Sequence, residues 1–355
     1  MSVILHSVLP FLVIIICLVL AHEIGHFVAA KLSGVGVLEF GVGFPPRIWA
    51  FKRGETEYSI NALPLGGFVR MIGEEDPSHP DSLASKSPLK RVFVLSAGAF
   101  MNFVLAIFLF SVGFMIPRDV PVGRPVIAEV AAGSPAESAG LQSGDVIYKI
   151  NGRDINNVPD AGYNIRLNLG EKITMTVKRG RDFLDIGVKA RWAPPAEQGP
   201  TGITIASQYP FTETQSYAPW TALRLGTRAT FDALKIARNE VISWTKGAAS
   251  PQVSGPVGIA QATGEVVKEA GWKSLLDLTA LLSINLAVIN ILPLPFLDGG
   301  RIVFVLLEIL RRGRRIAPQK EAIVHLVGLV FFMTFVVVIS YFDIARIIHG
   351  DDFFR

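Results

Sequence analysis

Four stretches of this chain are long and apolar enough to cross a lipid bilayer, and they constrain the fold more than any other feature. They occupy residues 4–30, 93–116, 276–311 and 321–347. A helix needs about 20 predominantly apolar residues to span the hydrocarbon core. The composition agrees, because 50% of the residues are hydrophobic and only 18% are charged. The sequence therefore predicts a polytopic α-helical membrane protein with four transmembrane segments in contact with lipid.

The distribution of basic residues predicts the orientation of these spans, because cytoplasmic loops carry an excess of lysine and arginine. Basic residues populate both the connection between the first two spans and the turn between the last two. The turn holds Arg311, Arg312, Arg314, Arg315 and Lys320. We therefore expect both loops in the cytoplasm, and both termini and residues 117–275 outside. Residues 1–6 lack the basic start of a cleavable signal peptide, so we expect the first span to be retained.

The first span contains a His-Glu-x-x-His motif at residues 22–26. On a helix, His22 and His26 lie four residues apart on one face, where both imidazoles can bind one metal ion. Glu23 is then suited to act as general base on a metal-bound water. A chance match is the alternative, but ionisable groups within a membrane span are costly and usually functional. The motif therefore favours a metal hydrolase.

The third apolar stretch must be interrupted. As one straight helix, residues 276–311 would extend about 54 Å, against a hydrocarbon core of about 30 Å. Two prolines and two glycines between residues 293 and 300 predict the break, which also carries Asp298. Helix lengths of about 27 Å to His22 and about 24 Å to the break place both in the inner part of the bilayer. Two histidines and one carboxylate suit a catalytic zinc site, although Asp298 could instead be only a helix N-cap.

These motifs together resemble the site-2 protease family (M50-type intramembrane zinc metalloproteases), and more narrowly its bacterial RseP-type branch. The similarity covers nearly the whole chain. It implies that zinc (Zn²⁺) is bound by His22, His26 and Asp298, that Glu23 is the catalytic base, and that Asn290 contacts the substrate backbone or stabilises the oxyanion. It also implies cleavage of single-span membrane proteins, such as anti-sigma factors, after prior site-1 trimming in regulated intramembrane proteolysis. The expected location is the bacterial inner membrane, with both termini in the periplasm.

Residues 132–152 look like the core of a PDZ domain. A short helix, a Gly-Asp turn and an alternating strand follow one another, and flanking strands are predicted at 124–130 and 172–190. PDZ domains bind peptide ends by strand addition, so a peptide C-terminus is one candidate partner. A steric filter without a peptide ligand is the other candidate role. Only one PDZ module is recognisable, whereas several members of the branch carry two.

The predicted domain organisation follows from these assignments. An extracytoplasmic, β-rich PDZ domain is inserted between two parts of the membrane domain. A linker at 192–200 precedes surface helices, including 218–246, that lean on the membrane. The four regions are 1–116 (membrane domain, first part), 117–191 (PDZ domain), 192–275 (linker and membrane-associated helices) and 276–355 (membrane domain, second part).

The first cytoplasmic loop contains a β-hairpin pattern at 38–46 and 56–62. The family resemblance implies that this element enters the membrane. A helical substrate hides its peptide bonds in intrahelical hydrogen bonds, so an open strand edge is a suitable place to hold it extended. An ordinary cytoplasmic hairpin is the alternative. The candidate substrate-binding residues are Gly41, Gly43, Pro293 and Pro295.

Two functions from other classes remain open at this point. A zinc transporter or sensor would carry buried His and Asp residues, but it would need several polar groups along a path. A non-catalytic PDZ scaffold is disfavoured by the intact Glu23. The remaining histidines (His6, His79, His325 and His349) lack partners at ligand spacing and are expected to be interfacial or solvated. Arg301 stands where relatives commonly have a histidine, without an expected catalytic consequence. No motif suggests a nucleotide, and the net charge of +4 requires no nucleic-acid partner.

Overall fold

The computed structural model describes residues 7–74, 76–195, 198–249, 254–349 and 353, apart from the side chain of Leu65. These residues form two compact units. The membrane unit comprises the described residues up to 113, residues 223–230 and the described residues from 254 onward. The β unit comprises residues 114–222 and the described residues between 231 and 252.

Four helices in the described part of the chain are long and apolar enough to span a membrane. They confirm the four predicted apolar segments, although residues 4–6 of the first lie outside the described residues. The helices of the chain are α1 (Leu9–Leu32), α2 (Pro88–Met115), α3 (Pro135–Ser138), α4 (Val158–Leu167), α5 (Pro219–Thr245), α6 (Pro256–Ala270), α7 (Leu275–Ile291), α8 (Asp298–Leu310) and α9 (Pro318–His349). The candidate spans are α1, α2, α7 with its preceding 3-10 turn, and α9.

The predicted break in the third apolar stretch separates α7 from α8. Helix α7 ends at Ile291, and α8 begins at Asp298. The connecting segment folds back so closely that a Cβ on Gly299 would collide with the carbonyl oxygens of Ile291 and Leu292. Only glycine fits such an approach of two backbones without displacement.

The hairpin between α1 and α2 is much longer than the predicted pair of short strands. Strands β1 (Val37–Arg53) and β2 (Thr56–Met71) pair antiparallel. Because Glu39 pairs with both Glu57 and Arg70, the start of β1 lies between the two halves of β2. The second half of β2 therefore forms one edge of this small curved sheet.

The β unit contains one antiparallel sheet of six strands in the order β7-β6-β4-β3-β8, with β5 paired to β4. These strands are β3 (Arg118–Val130), β4 (Val146–Ile150), β5 (Arg153–Asp154), β6 (Lys172–Arg179), β7 (Asp182–Lys189) and β8 (Ile203–Gln215). Alternating residues such as Ile173, Met175 and Val177 face a fully buried core. This matches the period-2 pattern of β6.

Two sequence expectations in this unit were wrong. The single strand expected at 172–190 is a hairpin of β6 and β7, joined around Gly180, whose φ is +61°. The region after residue 191, expected to contain only a linker and helices, includes β8. This strand pairs along the length of β3, from Val130 with Ile203 to Arg118 with Gln215. The β unit therefore continues well beyond the predicted PDZ boundary.

Candidate metal centre

Three ligand-type atoms converge within the membrane unit. Nε2 of His22 lies 3.1 Å from Nε2 of His26, and both nitrogens lie 3.1 Å from Oδ2 of Asp298. These side chains are only 12%, 8% and 18% exposed. The predicted motif on the first span and the acid at the break therefore meet at one point, although 272 residues separate His26 from Asp298.

Two glycines allow α1 and α2 to pack closely and still leave space for the two imidazole rings. A Cβ on Gly25 would collide with the backbone carbonyl of Ala97. A Cβ on Gly98 would lie 2.7 Å from Nδ1 of His22 and would also collide with Nε2 of His26. Small residues allow helix backbones to approach closely in membranes. Gly98 thus leaves the space that the two histidine rings occupy.

The outer nitrogens of the two rings have partners on α2. Nδ1 of His26 donates to the carbonyl of Val94 at 2.8 Å. Nδ1 of His22 faces the side-chain amide of Asn102 at 3.4 Å. Oδ1 of Asn102 is buried and has no hydrogen-bond partner among the described residues, so rotation of the amide by 180° would present it to Nδ1 of His22. Such outer contacts orient metal-binding histidines in proteins.

The arrangement fits a zinc ion. A neutral His26 that donates from Nδ1 has a lone pair at Nε2, and this lone pair faces the carboxylate oxygen of Asp298. Two such acceptors 3.1 Å apart repel each other unless a cation or a proton lies between them. Ligand atoms at about 2.0–2.1 Å from a tetrahedral zinc ion lie about 3.3 Å apart. The triangle of His22, His26 and Asp298 therefore needs little adjustment to hold the metal.

Glu23 faces strand β2. A Cβ on Gly67 would lie 3.4 Å from Cγ of Glu23. The side chain of Glu23 thus lies beside Gly67 of β2. Gly67 was not recognised in the sequence, because a glycine pair within a strand carries no signal of what passes beside it.

Three further predicted site residues lie on α7 and β1. Asn290 is buried on the last turn of α7, and no hydrogen bond in the described structure joins it to the three candidate ligands. Gly41 and Gly43 lie on β1, one strand further from Glu23 than Gly67. Gly43 has a φ of +80°, which explains the glycine structurally.

The two predicted prolines lie in the break that precedes Asp298. Pro293 and Pro295 lie in the segment between α7 and α8 that leads to Asp298. Pro295 packs against Gly328 of α9. His325, also on α9, accepts a hydrogen bond from the backbone N–H of Phe296. Sequence reasoning missed this contact, because only the fold brings α9 beside the break.

The chain resembles known metallopeptidases over almost its whole length. The model of peptidase family M50 matches residues 10–335. A putative zinc metalloprotease of Clostridium perfringens is 36% identical over 331 residues, covering 92% of this chain and 95% of the relative. The zinc metalloprotease RasP of Oceanobacillus iheyensis is 31% identical, covering 96% of this chain and 99% of the relative. The regulator of sigma-W protease RasP of Bacillus subtilis is 29% identical with the same coverage.

Proposed function

Because the chain belongs to peptidase family M50, the site-2 protease family, we propose that this membrane-bound zinc metalloprotease cuts transmembrane segments of single-span proteins inside the bilayer. The observation that carries the proposal is the convergence of His22, His26 and Asp298 beside Glu23. All four side chains belong to elements within the membrane unit.

The four side chains divide into three metal ligands and one proton acceptor. His22, His26 and Asp298 hold the zinc ion, and Val94 and Asn102 keep the two rings oriented through their Nδ1 atoms. Bound zinc supplies Lewis acidity toward the scissile carbonyl and toward water. Glu23 accepts the proton from the attacking water at its carboxylate and then delivers it to the leaving amine.

The edge of β2 is the proposed place for an unwound substrate. Residues 67–71 pair with β1 on one side only in the described structure, and Glu23 lies close to Gly67. A substrate strand added there would run past Glu23 with its peptide bonds exposed. The hairpin also exposes large apolar side chains, as expected for an element that enters lipid. They are Phe44, Ile48, Trp49, Phe51, Ile60 and Leu63.

The remaining predicted residues take supporting roles in this proposal. Gly41 and Gly43 shape the strand that supports the substrate-binding edge. Pro293 and Pro295 keep the break open beside Asp298, and Asn290 contacts the substrate backbone or the oxyanion. The B. subtilis relative is named a regulator of sigma-W, which supports an anti-sigma-factor-like protein as substrate.

We assign the PDZ-like β unit and both termini to the periplasmic side of a bacterial inner membrane. The basic loops on the opposite side support this orientation. In this position the β unit cannot reach the scissile bond, and it controls access instead. It either excludes substrates with bulky external parts or binds the C-terminus left by a site-1 cut.

Replacement of Glu23 tests the catalytic assignment. Glu23→Gln should leave zinc bound and reduce cleavage of a tagged single-span substrate by at least about 1000-fold, because the ligands remain while the proton acceptor is lost. Zinc content and cleavage are measured on the same membrane preparation. Glu55→Gln, an 83% exposed acid in the hairpin turn, serves as the matched control. Cleavage retained by Glu23→Gln would contradict the mechanism.

Excision of the sheet tests the role of the β unit. Arg118 and Gln215 are paired residues, so a short Gly-Ser turn can replace 118–215 without stretching the chain. Asp232→Asn belongs in the same variant, because the cut removes Arg153, which binds Asp232 at 2.6 and 2.8 Å. The excised protein should still cut a pre-trimmed substrate.

The excision also separates the two access roles. Under size exclusion, an untrimmed substrate is cut as well, whereas under peptide binding, cleavage of the trimmed substrate slows. Loss of all cleavage by a protein that still inserts and binds zinc would contradict both roles.

A further inference from the structure

Helix α9 contacts the rest of the membrane unit along a single stripe. Most of its described side chains are exposed, and the exceptions recur at intervals of three and four residues, as on one face of a helix. They include Glu321, His325, Gly328, Phe332, Val336, Ile339 and Asp343. At one end of the stripe, Asp343 accepts hydrogen bonds from the backbone N–H groups of Gly255 and Gly258 at the start of α6.

The other end of the stripe holds the segment that leads to Asp298. Nδ1 of His325 accepts the N–H of Phe296 at 2.7 Å. The ring of Phe332 packs on that of Phe296 with centroids 4.8 Å apart, and Gly328 receives Pro295. Three successive turns of α9 thus contact the same short segment.

The backbone of this segment needs such support. Phe296 has a φ of +69°, in the left-handed region that is unfavourable for a bulky residue by about 1–2 kcal/mol. A strained conformation persists only where its surroundings determine it. Asp298 follows Phe296 by two residues, so a change in the backbone at Phe296 moves the Asp298 carboxylate.

We infer that His325 is a positioning residue that fixes Asp298 in its metal-binding place through the Phe296 amide. The inference rests on the proposed role of Asp298 as a ligand. His325 acts as an acceptor at Nδ1 and carries its proton at Nε2, beside Glu321 at 3.8 Å. It is therefore neither a ligand nor merely an interfacial ring.

Two amide variants separate the hydrogen bond from bulk and polarity. Asn places its Oδ1 at the position of the histidine Nδ1, so His325→Asn retains the acceptor. Gln places its amide at the position of Nε2, so His325→Gln removes the acceptor but keeps a polar side chain. Thr334→Ala, at an exposed position of the same helix, is the control.

The measurement is zinc affinity of the purified full-length protein by competition with a chelator. His325→Gln should weaken zinc binding about 10-fold, as is usual for groups that orient ligands, and His325→Asn should stay within about 2-fold of the parent. Equal affinity of the Gln variant and the parent overturns the inference, as does equal loss in both variants. Asp298→Ala is measured in parallel, because unchanged zinc binding there would contradict the ligand assignment itself.

A second background tests whether the effect passes through Phe296. Phe296→Gly removes the cost of the positive φ, so His325→Gln should weaken zinc binding less in that background than in the parent. An equal loss in both backgrounds would show that His325 does not act through this backbone. If His325→Gln fails to accumulate, His325→Phe provides the same comparison, because it keeps the ring that packs on Phe304.

Discussion

Two acids, the half-buried Asp298 in the membrane unit and the buried Asp145 in the β unit, have opposite environments. Asp145 accepts two hydrogen bonds of 2.8 Å from Arg179 and one of 2.9 Å from the amide of Gln142. Asp298 faces two imidazole nitrogens at 3.1 Å, and no lysine or arginine pairs with it in the described part of the chain. The negative charge of Asp145 is therefore neutralised by Arg179 of the protein itself. The negative charge of Asp298 is suited to a bound metal cation instead.

This difference separates a structural acid from a ligand. Asp145 is 1% exposed and Asp298 is 18% exposed, so the more deeply buried acid is not the functional one. The direction of the neighbouring donors does, because Arg179 presents N–H groups to Asp145 while His26 presents a lone pair to Asp298. A group of acceptors that point at one another marks a metal site more reliably than a buried acid does.

The largest effect that separates the two acids is expected on metal binding. Asp298→Ala removes one of three protein ligands, so zinc affinity should fall by at least about 100-fold and cleavage with it. Zinc content and chelator competition measure the effect on the purified protein. Asp145→Asn provides the control and should bind zinc like the parent. Unchanged zinc binding in Asp298→Ala would make this residue a helix cap and end the contrast between the two acids.

The membrane unit was more predictable from the sequence than the β unit. The spacing of His22 and His26, and the proline-rich break before Asp298, are local patterns whose consequences follow from helix geometry. Strand β8 pairs with β3 across sequence separations of 73 (Val130 with Ile203) to 97 residues (Arg118 with Gln215), and its pattern alone does not say whether it continues a sheet. The length of the β1–β2 hairpin was missed because the start of β1 pairs with both halves of β2.

The same limit applies to the surroundings of the metal centre. Gly98, Asn102 and His325 contact the site or its loop only because α2 and α9 pack there. Sequence reasoning assigned His325 to the interface or to solvent, since nothing at ligand spacing accompanies it. Residues that bind the metal follow a short motif, whereas residues that orient the ligands depend on tertiary packing.

Removal of the charge on Asp145 should lower the stability of the β unit and leave zinc binding unchanged. Burial raises the pKa of Asp145, but hydrogen bonds from Arg179 and from the Gln142 amide outweigh it and hold that pKa below its usual value. A carboxyl with a lowered folded-state pKa contributes stability above its unfolded value of about 3.9, and this contribution is lost as pH falls through the folded-state pKa. The β unit should therefore lose stability below about pH 4.

Asp145→Asn should remove most of this contribution at pH 7. We expect the free energy of unfolding of the β unit to fall by about 2–3 kcal/mol, because Asn keeps the bond from Gln142 but leaves Arg179 without its charged partner. Hydrogen exchange of peptides from β4 and β6 in the full-length protein measures the change. Asp182→Asn, at an exposed position of β7, is the control. Stability and acid sensitivity equal to those of the parent would show that the pair is dispensable.

The smallest expected effects come from two helical glycines, one in each unit. Gly98 faces the histidine rings, so the Cβ of Gly98→Ala must displace His22 or His26 and should weaken zinc binding about 10-fold. Gly162 on α4 has open space around its Cβ position, so Gly162→Ala should stabilise the β unit by about 0.5–1 kcal/mol through helix propensity alone.

Zinc competition and hydrogen exchange are measured on both variants. Gly98→Ala should change zinc affinity but not the stability of the β unit, because the ligand geometry depends on α2. Gly162→Ala should change that stability but not zinc affinity, because the stability of the sheet depends on its own core. A loss of zinc in Gly162→Ala comparable to that in Gly98→Ala would show that the two units are coupled and that the contrast between Asp298 and Asp145 is not a local one.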